Sequence, residues 1–435
     1  MEETYYDRFF PDLTQFALDE KLYDASNADK YIRKSYRGGW CFLVKEKANK
    51  IYNDGITLDV NSLYPSVMHS ESGSKYPHGK PTFWKGNYIP EKCKQDNIYY
   101  FIRLKTQFKI KENKLPFIQI KTNFLYMSTA SLETSDVYDK KKDKYYEYYI
   151  DRNGKKTKAT VTLTLTCTDY ELMKEHYNLY NTEILDGCYF FSSSGIFDYY
   201  IDKYKNIKMN STGARRELAK LFLNNLYGKM ASSDDSSFKV AYLKQDGSIG
   251  FKTVEEHKKK TGYIPIGSAI TSYARNFTIR HAQANYYGKD KRGFIYADTD
   301  SIHCDLTIDE IKMCKIDSKA FCCWKPEASW DIAYFTRQKT YIEHVIKENL
   351  KDINNPYYNI KCAGMPDRCK NLFLVSMIGT DEERNDEKYN KEEKEFLKTK
   401  RTLEDFTLGL KVPSKLRPVR IAGGIVLEPT TYEMR

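Results

Sequence analysis

Phe294-Ile295-Tyr296-Ala297-Asp298-Thr299-Asp300-Ser301-Ile302-His303-Cys304 is the stretch on which the reading of this chain turns. Apolar strand signals flank the central Asp298-Thr299-Asp300, which places the two carboxylates at a hairpin tip or along one strand edge. Either arrangement brings them close. Two like charges about 4 Å apart repel by about 4 kcal/mol at an effective dielectric of about 20. Such a pair requires a bound cation or a raised pKa. Hard oxygen ligands favour Mg²⁺, with Mn²⁺ as the alternative. An isolated Asp-Thr-Asp is also a common turn, so its meaning depends on what else the chain supplies.

A partner lies upstream in Asp59-Val60-Asn61-Ser62-Leu63-Tyr64-Pro65. In the strand before it, Ile56, Leu58 and Val60 face one way while Thr57 and Asp59 face the other, so the carboxylate leaves the polar face at the strand end. Ser62-Leu63-Tyr64-Pro65 then opens a helix with Pro65 in its first turn. The N–H groups at that helix start lack intrahelical acceptors and suit a triphosphate. A solvent-facing Asp before a capped helix is the bland alternative. Taken together, Asp59, Asp298 and Asp300 form a three-carboxylate set on two neighbouring strands, which two-metal phosphoryl transfer requires.

The stretch from Gly213 to Leu226 reads as a helix, with Gly228 placed to end it. At 100° per residue Arg216, Lys220, Asn224 and Tyr227 share one face, and Leu218, Leu221, Phe222 and Leu226 lie on the far side. Arg216 and Lys220 suit phosphates and Tyr227 suits a base. A solvated amphipathic helix is the competing reading.

The surrounding chain sets the frame. Its 435 residues predict two to four structural units. Apolar residues at 41% and charged residues at 30% exclude a disordered chain. No apolar run approaches the roughly 20 residues of a membrane span, and the acidic start is no leader peptide. A cytoplasmic location and no membrane partner are expected, and the ten scattered cysteines are read as reduced thiols. A formal charge of +11 and 37 tyrosines interleaved with lysine suit nucleic acid, although genome composition explains both equally well. The first 35 residues are predicted helical, and strands are expected at Gly39 to Lys45 and Thr160 to Cys167. Turns are expected at Arg152-Asn153-Gly154-Lys155 and Asp246-Gly247. The helix Ser268 to Tyr287 leads into the strand at Phe294, Asp381 to Lys400 reads as charged and mobile, and Lys140-Lys141-Lys142 as a solvated loop.

In chain order, Asp59 to Pro65, the helix carrying Lys220 to Gly228 and the Tyr296 to His303 hairpin resemble motifs A, B and C of family B DNA polymerases, most closely the protein-primed bacteriophage subgroup. Ser35-Tyr36-Arg37-Gly38-Gly39, Arg337-Gln338-Lys339-Thr340-Tyr341 and Lys361-Cys362-Ala363-Gly364-Met365 extend the similarity over essentially the whole chain. The resemblance implies an α+β right-hand polymerase with palm, fingers, thumb and two strand-rich insertions. Expected boundaries are 1–97 for the N-terminal connector and first palm part, 98–195 for insertion 1 and 196–231 for the fingers. Insertion 2 follows at 232–265, the second palm part at 266–345, and the thumb and C-terminal region at 346–435.

The resemblance also implies roles. Asp59, the Val60 carbonyl, Asp298 and Asp300 would hold two Mg²⁺ ions. Tyr64 would exclude a 2'-hydroxyl. Lys208, Arg216 and Lys220 would grip the triphosphate, although the family usually has lysine at the Arg216 position and serine where Asn225 stands. Tyr227 would line the nascent base pair. Tyr36, Gly38, Gly39, Lys339 and Tyr341 would hold template-primer DNA. Insertion 1 would meet a priming (terminal) protein, and insertion 2 would surround the downstream template and product duplex. The expected activity is DNA-directed DNA polymerisation by a monomer, from a primer 3'-OH or a priming-protein hydroxyl, in replication of a phage or linear mobile element. Only 58 residues precede Asp59, too few for the family's 3'-5' exonuclease domain, so a chain without that proofreading domain is expected. The rival reading is a catalytically impaired DNA-binding remnant. An RNA-making enzyme is disfavoured by Tyr64, and a reverse transcriptase by Asp-Thr-Asp-Ser in place of an Asp-Asp pair.

Overall fold

The structure, a computed structural model, describes residues 5–120, 130–139, 141–233, 237–245, 249–255 and 261–435. Its centre is a wholly antiparallel seven-stranded sheet built from β1 (Cys41–Leu43), β2 (Ile51–Val60), β3 (Phe294–Asp298), β4 (Ser301–Cys304), β5 (Trp324–Arg337), β6 (Thr340–Glu348) and β7 (Lys351–Cys362). The strand order is β1-β3-β4-β2-β5-β6-β7. β2 therefore lies mid-sheet, and Ile56, Leu58 and Val60 are buried as their alternation demands. Register places Cys41, Asp298, Ser301, Asp59 and Lys325 in one lateral row across β1, β3, β4, β2 and β5.

Five helices matter for the site: α1 (Leu63–Met68), α2 (Cys167–His176), α3 (Asp198–Met209), α4 (Gly213–Met230) and α5 (Ile264–Ala284). α5 is buried almost from end to end, with Pro265 in its first turn, and it packs against β3, β4, α1, α2 and α4. A helix buried over most of its length lies in an interior, so its buried cation Arg275 needs a partner. A second sheet joins Tyr76–Lys85, Tyr177–Ser193, Ile98–Ile110 and Val161–Thr166. Beyond Met365 a smaller core gathers Cys369, Leu372, Phe373, Leu397, Phe406 and Val412 under the hairpin Lys411–Ile421/Gly424–Glu433. Antiparallel sheets with segregated helices make the chain α+β, as expected.

Three expectations need correction. α4 does not stop at Gly228 but runs to Met230, because Gly228 sits in open space and nothing there forces a left-handed turn. The buried face of α4 carries Ala219 and Leu223, while Leu218, Leu221 and Phe222 are exposed. Asp381 to Lys400 is folded, with helices Asp381–Arg384 and Lys391–Leu397 started by reciprocal caps, Thr380 with Glu383 and Asn390 with Glu393. The expected Asp246-Gly247 turn and Lys140 of the lysine run lie outside the described residues. The turn at Arg152 to Lys155 joins strands Tyr148–Ile150 and Lys156–Lys158.

Candidate active site

The Asp298-Thr299-Asp300-Ser301 segment is a hairpin tip in which Thr299 takes φ 62° and the Asp300 N–H donates to the Asp298 carbonyl at 2.7 Å. Three neighbours lock it. The Val60 N–H donates to the Asp300 carbonyl (2.8 Å), the Thr299 N–H donates to the Trp40 carbonyl (2.7 Å), and the Thr278 hydroxyl donates to the Thr299 carbonyl (2.8 Å). Gly39 closes the fourth side. A Cβ on it would fall inside the Thr299 side chain, whereas one on Gly38 would meet nothing within 4 Å. Ser62 (φ 51°) and Lys339 (φ 59°) also adopt left-handed backbone, so each of the three turns around the site holds a strained non-glycine residue.

The three carboxylates divide into two and one. Asp59 is pushed up to about 8 by burial, then by the charges of Asp300 and Glu327, with Lys325 and Lys208 opposing. Asp300 is likewise raised, by burial first and then by Asp298 and Glu327. Among the described residues neither side chain is ion-paired, and the Asp300 carboxylate draws on its own backbone N–H. Asp298 instead receives the Lys339 ammonium on both oxygens (2.6 and 2.7 Å) and the Tyr296 hydroxyl at 3.3 Å. Among the described residues, no group of three or more His, Cys, Asp or Glu side chains is drawn together tightly enough to chelate an ion.

Opposite the carboxylates stands a cationic cluster. The Lys208 Nζ donates to Ser62 Oγ at 2.9 Å, where the chain leaves β2 for α1. Its pKa is lowered by burial, then by Arg216 and Lys220, while Asp59 works against the shift. Arg216 and Lys220 thus gather around Lys208, which itself lies close to Asp59. Of the three, Arg216 touches a carboxylate, the exposed one of Glu217 at 3.2 Å. A tyrosine set completes the site. Tyr64 stacks on Tyr227 with centroids 4.4 Å apart, and the Tyr36 and Tyr227 hydroxyls are hydrogen-bonded. The Tyr341 ring packs against Tyr296 and His303 at 5.6 and 4.9 Å.

Several residues here escaped sequence reasoning. Tyr296 bridges Asp298 and Lys339, accepting the Lys339 N–H at 2.9 Å. Lys325 is the cross-strand partner of Asp59. Arg275 donates to the carbonyls of Arg37 (2.6 Å) and Gly38 (2.9 Å) and is ion-paired with buried Asp169. Arg275 carried a usable signal, a lone cation inside the apolar run from Ile264 to Ile279.

Comparison with known proteins gives a consistent picture. A family model described as DNA polymerase type B, organellar and viral, matches residues 15–319. The DNA polymerase of Bacillus phage Nf is 36% identical over 417 residues, covering 94% of this chain and 62% of the phage protein. That of Streptococcus phage Cp-1 is 31% identical over 431 residues, covering 98% and 63%. Among solved structures, Phi29 DNA polymerase complexed with primer-template DNA and incoming nucleotide substrates superposes with a TM-score of 0.76 at 34% identity, covering 99% of this chain and 64% of that one. The chain therefore spans under two thirds of the length of these relatives.

Proposed function

Because the chain belongs to the organellar and viral type B DNA polymerases, we propose that it is a DNA-directed DNA polymerase of the protein-primed phage kind. It adds deoxynucleotides to a primer 3'-OH or to the hydroxyl of a priming protein. One observation carries this reading: Asp59 and Asp300, raised by burial and like charge and held in no ion pair among the described residues, lie next to a cationic cluster in which Lys208, with Arg216 and Lys220 around it, reaches Ser62. One side suits divalent cations and the other a triphosphate.

The donor set fits hard cations, since carboxylates raised by burial and by like charge are relieved by a bound divalent ion. Asp59, Asp300 and the Val60 carbonyl would hold them, with Asp298 the second carboxylate of its hairpin. Two Mg²⁺ ions, or Mn²⁺ in their place, would acidify the attacking hydroxyl and neutralise charge on the triphosphate and leaving pyrophosphate. Lys208, Arg216 and Lys220 bind the β- and γ-phosphates. Tyr64, braced by Tyr227, blocks a ribose 2'-hydroxyl, and Tyr227 lines the new base pair. Lys339 and Tyr341 support the primer terminus, and Tyr36, Gly38 and Gly39 meet the template-primer.

The seven-stranded sheet serves as palm and α3 and α4 as fingers; because β7 (Lys351–Cys362) pairs within that sheet, the thumb, expected from residue 346, starts beyond Met365 instead. The Arg420 guanidinium lies 4.2 Å over the Phe251 ring, which supports insertion 2 and the thumb hairpin meeting around the product duplex. The lysine-capped tyrosines of insertion 1, Lys144 over Tyr146 and Lys156 over Tyr148, support a macromolecular contact there, read as the priming protein. Among the described residues no helix is long and apolar enough to cross a membrane. The proposed working state of the chain is a monomer in the cytoplasm of the host cell. Primer extension by the purified chain with Mg²⁺ tests the whole reading. DNA binding without extension would leave the non-catalytic remnant instead.

Two further outcomes are expected. Gly39→Ala must push Thr299 aside and shift the carboxylate turn, and a displacement of order 1 Å costs about 100-fold in turnover. Gly38→Ala has no protein atom to strike and leaves the carboxylate turn in place, so any loss it causes falls on the KM for template-primer rather than on turnover. Steady-state extension rates compare the two. The second outcome concerns pH. Asp59 binds its proton more tightly in the folded chain than in the unfolded one, so without divalent cations stability falls as pH rises from about 4 to about 8 and then levels. Bound Mg²⁺ stabilises the ionised form, so its stabilising effect grows across the same window. Urea unfolding at both ends of the window, in EDTA and in Mg²⁺, measures this; an Mg²⁺ effect independent of pH would remove the pair as the cation site.

A further inference from the structure

Beneath Tyr341, on the same face of the sheet as Asp59, lies a polar network in an otherwise apolar interior. His303, Glu343 and Thr57 are 0%, 1% and 4% exposed. The His303 Nδ1 lies 2.6 Å from Glu343 Oε1, and the Thr57 hydroxyl donates to the same oxygen at 2.7 Å. The Trp330 indole N–H donates to Thr57 Oγ1 at 3.2 Å, and the Asn359 amide reaches Glu343 Oε2 at 3.5 Å. These five residues lie on β4, β2, β5, β6 and β7, five consecutive strands of the sheet.

A buried pair of hydrogen-bonded ionisable groups costs desolvation that apolar residues of equal volume avoid, so it is poor value for stability alone. Its neighbours supply another reason. The His303 Nε2 stands 3.5 Å from Ser301 Oγ, the residue after Asp300 and the lateral partner of both Asp59 and Asp298. The His303 ring lies edge-on to Tyr341, centroids 4.9 Å apart. Glu343 follows Tyr341 by two on β6, and both line a polar cavity of about 250 Å³ with Lys325, Glu327, Asn359 and Lys361. The pair thus touches the carboxylate turn on one side and the primer-supporting strand on the other.

We propose that the buried His303–Glu343 pair is a positioning element for the primer terminus, fixing the Tyr341 ring relative to the Asp59 and Asp300 carboxylates. The inference rests on the polymerase reading and on the place that reading gives Tyr341. His303 and Glu343 do not touch DNA. They act through Tyr341, so their loss weakens use of the primer while leaving the triphosphate side intact.

The test compares Glu343→Gln with the double exchange His303→Phe/Glu343→Leu, whose apolar pair fills similar volume without buried charge. Both are assayed for the KM of primer-template and of deoxynucleotide, and thermal unfolding is followed alongside. Misplacing a supporting group by a fraction of an ångström costs about tenfold in the primer KM with the deoxynucleotide KM unchanged. The double variant keeps that defect even though it unfolds only slightly earlier than wild type, by what the Thr57 hydroxyl loses with its acceptor. Combined with Tyr341→Phe, Glu343→Gln adds nothing to the primer defect, because both changes act through one side chain. A wild-type primer KM in the double variant, or full additivity with Tyr341→Phe, overturns the inference and leaves the polymerase reading standing. A wild-type chain that extends no primer overturns both.

Discussion

Asp300→Asn lowers Mg²⁺-dependent primer extension by about 1000-fold, about 4 kcal/mol of transition-state stabilisation, and leaves the fold intact. The substitution separates chemistry from structure because the bonds that shape the turn are made by the backbone. The Asp300 N–H donates to Asp298 and its carbonyl accepts from Val60, and neither bond involves the carboxylate. An asparagine side chain has the same size and fits the same space. Removing this charge also removes a repulsion that raises Asp59, so the variant unfolds at higher temperature than wild type when divalent ions are chelated. It is therefore inactive and more stable, which general damage cannot produce. Asp298→Asn is expected to cost far less, since that carboxylate is already engaged by Lys339 and Tyr296. Single-turnover extension and melting in EDTA measure both variants. Activity in Asp300→Asn within tenfold of wild type would mean that the cations are held elsewhere.

What the sequence revealed and what it hid follow from the range of the interactions. Strand alternation placed Asp59 on the polar face of β2 because a two-residue period is local, and the register then set it beside the 298–301 hairpin. The face of α4 was misjudged because helical periodicity counts apolar residues, not neighbours. α4 packs on α3 through a two-helix hairpin, with Phe222 against Tyr204 at 4.9 Å, and leaves Leu218 and Leu221 to solvent. In Asp381 to Lys400 the charge run looked solvated, yet Glu393 is fully buried between Arg368 and Ser414, a pairing that no local pattern encodes. The same holds for the ion pair of Asp298 with Lys339, 41 residues apart, and for the fit of Gly39 against Thr299. Residue types at the site were readable from the sequence. Which carboxylate is free and which is occupied depended on tertiary contacts.

Arg275→Met should destabilise the protein by about 3–5 kcal/mol and, independently, disable the site. Arg275 and Asp169 are 5% and 3% exposed, so removing the guanidinium strands a carboxylate in the interior. That accounts for the stability loss, and a second change, Asp169→Leu, should recover most of it, because replacing both members of a buried pair is far cheaper than breaking it. Activity should not return with stability. The guanidinium also holds the carbonyls of Arg37 and Gly38, fixing the loop that presents Gly39 to Thr299 and Tyr36 to Tyr227. Methionine offers no donor, so the loop loosens against both the carboxylate turn and the tyrosine stack, and turnover stays down by about 100-fold in the double variant. Urea unfolding and primer extension on the two variants separate these effects. If the double variant regains both stability and activity, the clamp on the 36–39 loop contributes only to folding. If it regains stability alone, the ion pair between α5 and α2 carries part of the geometry on which the carboxylates depend.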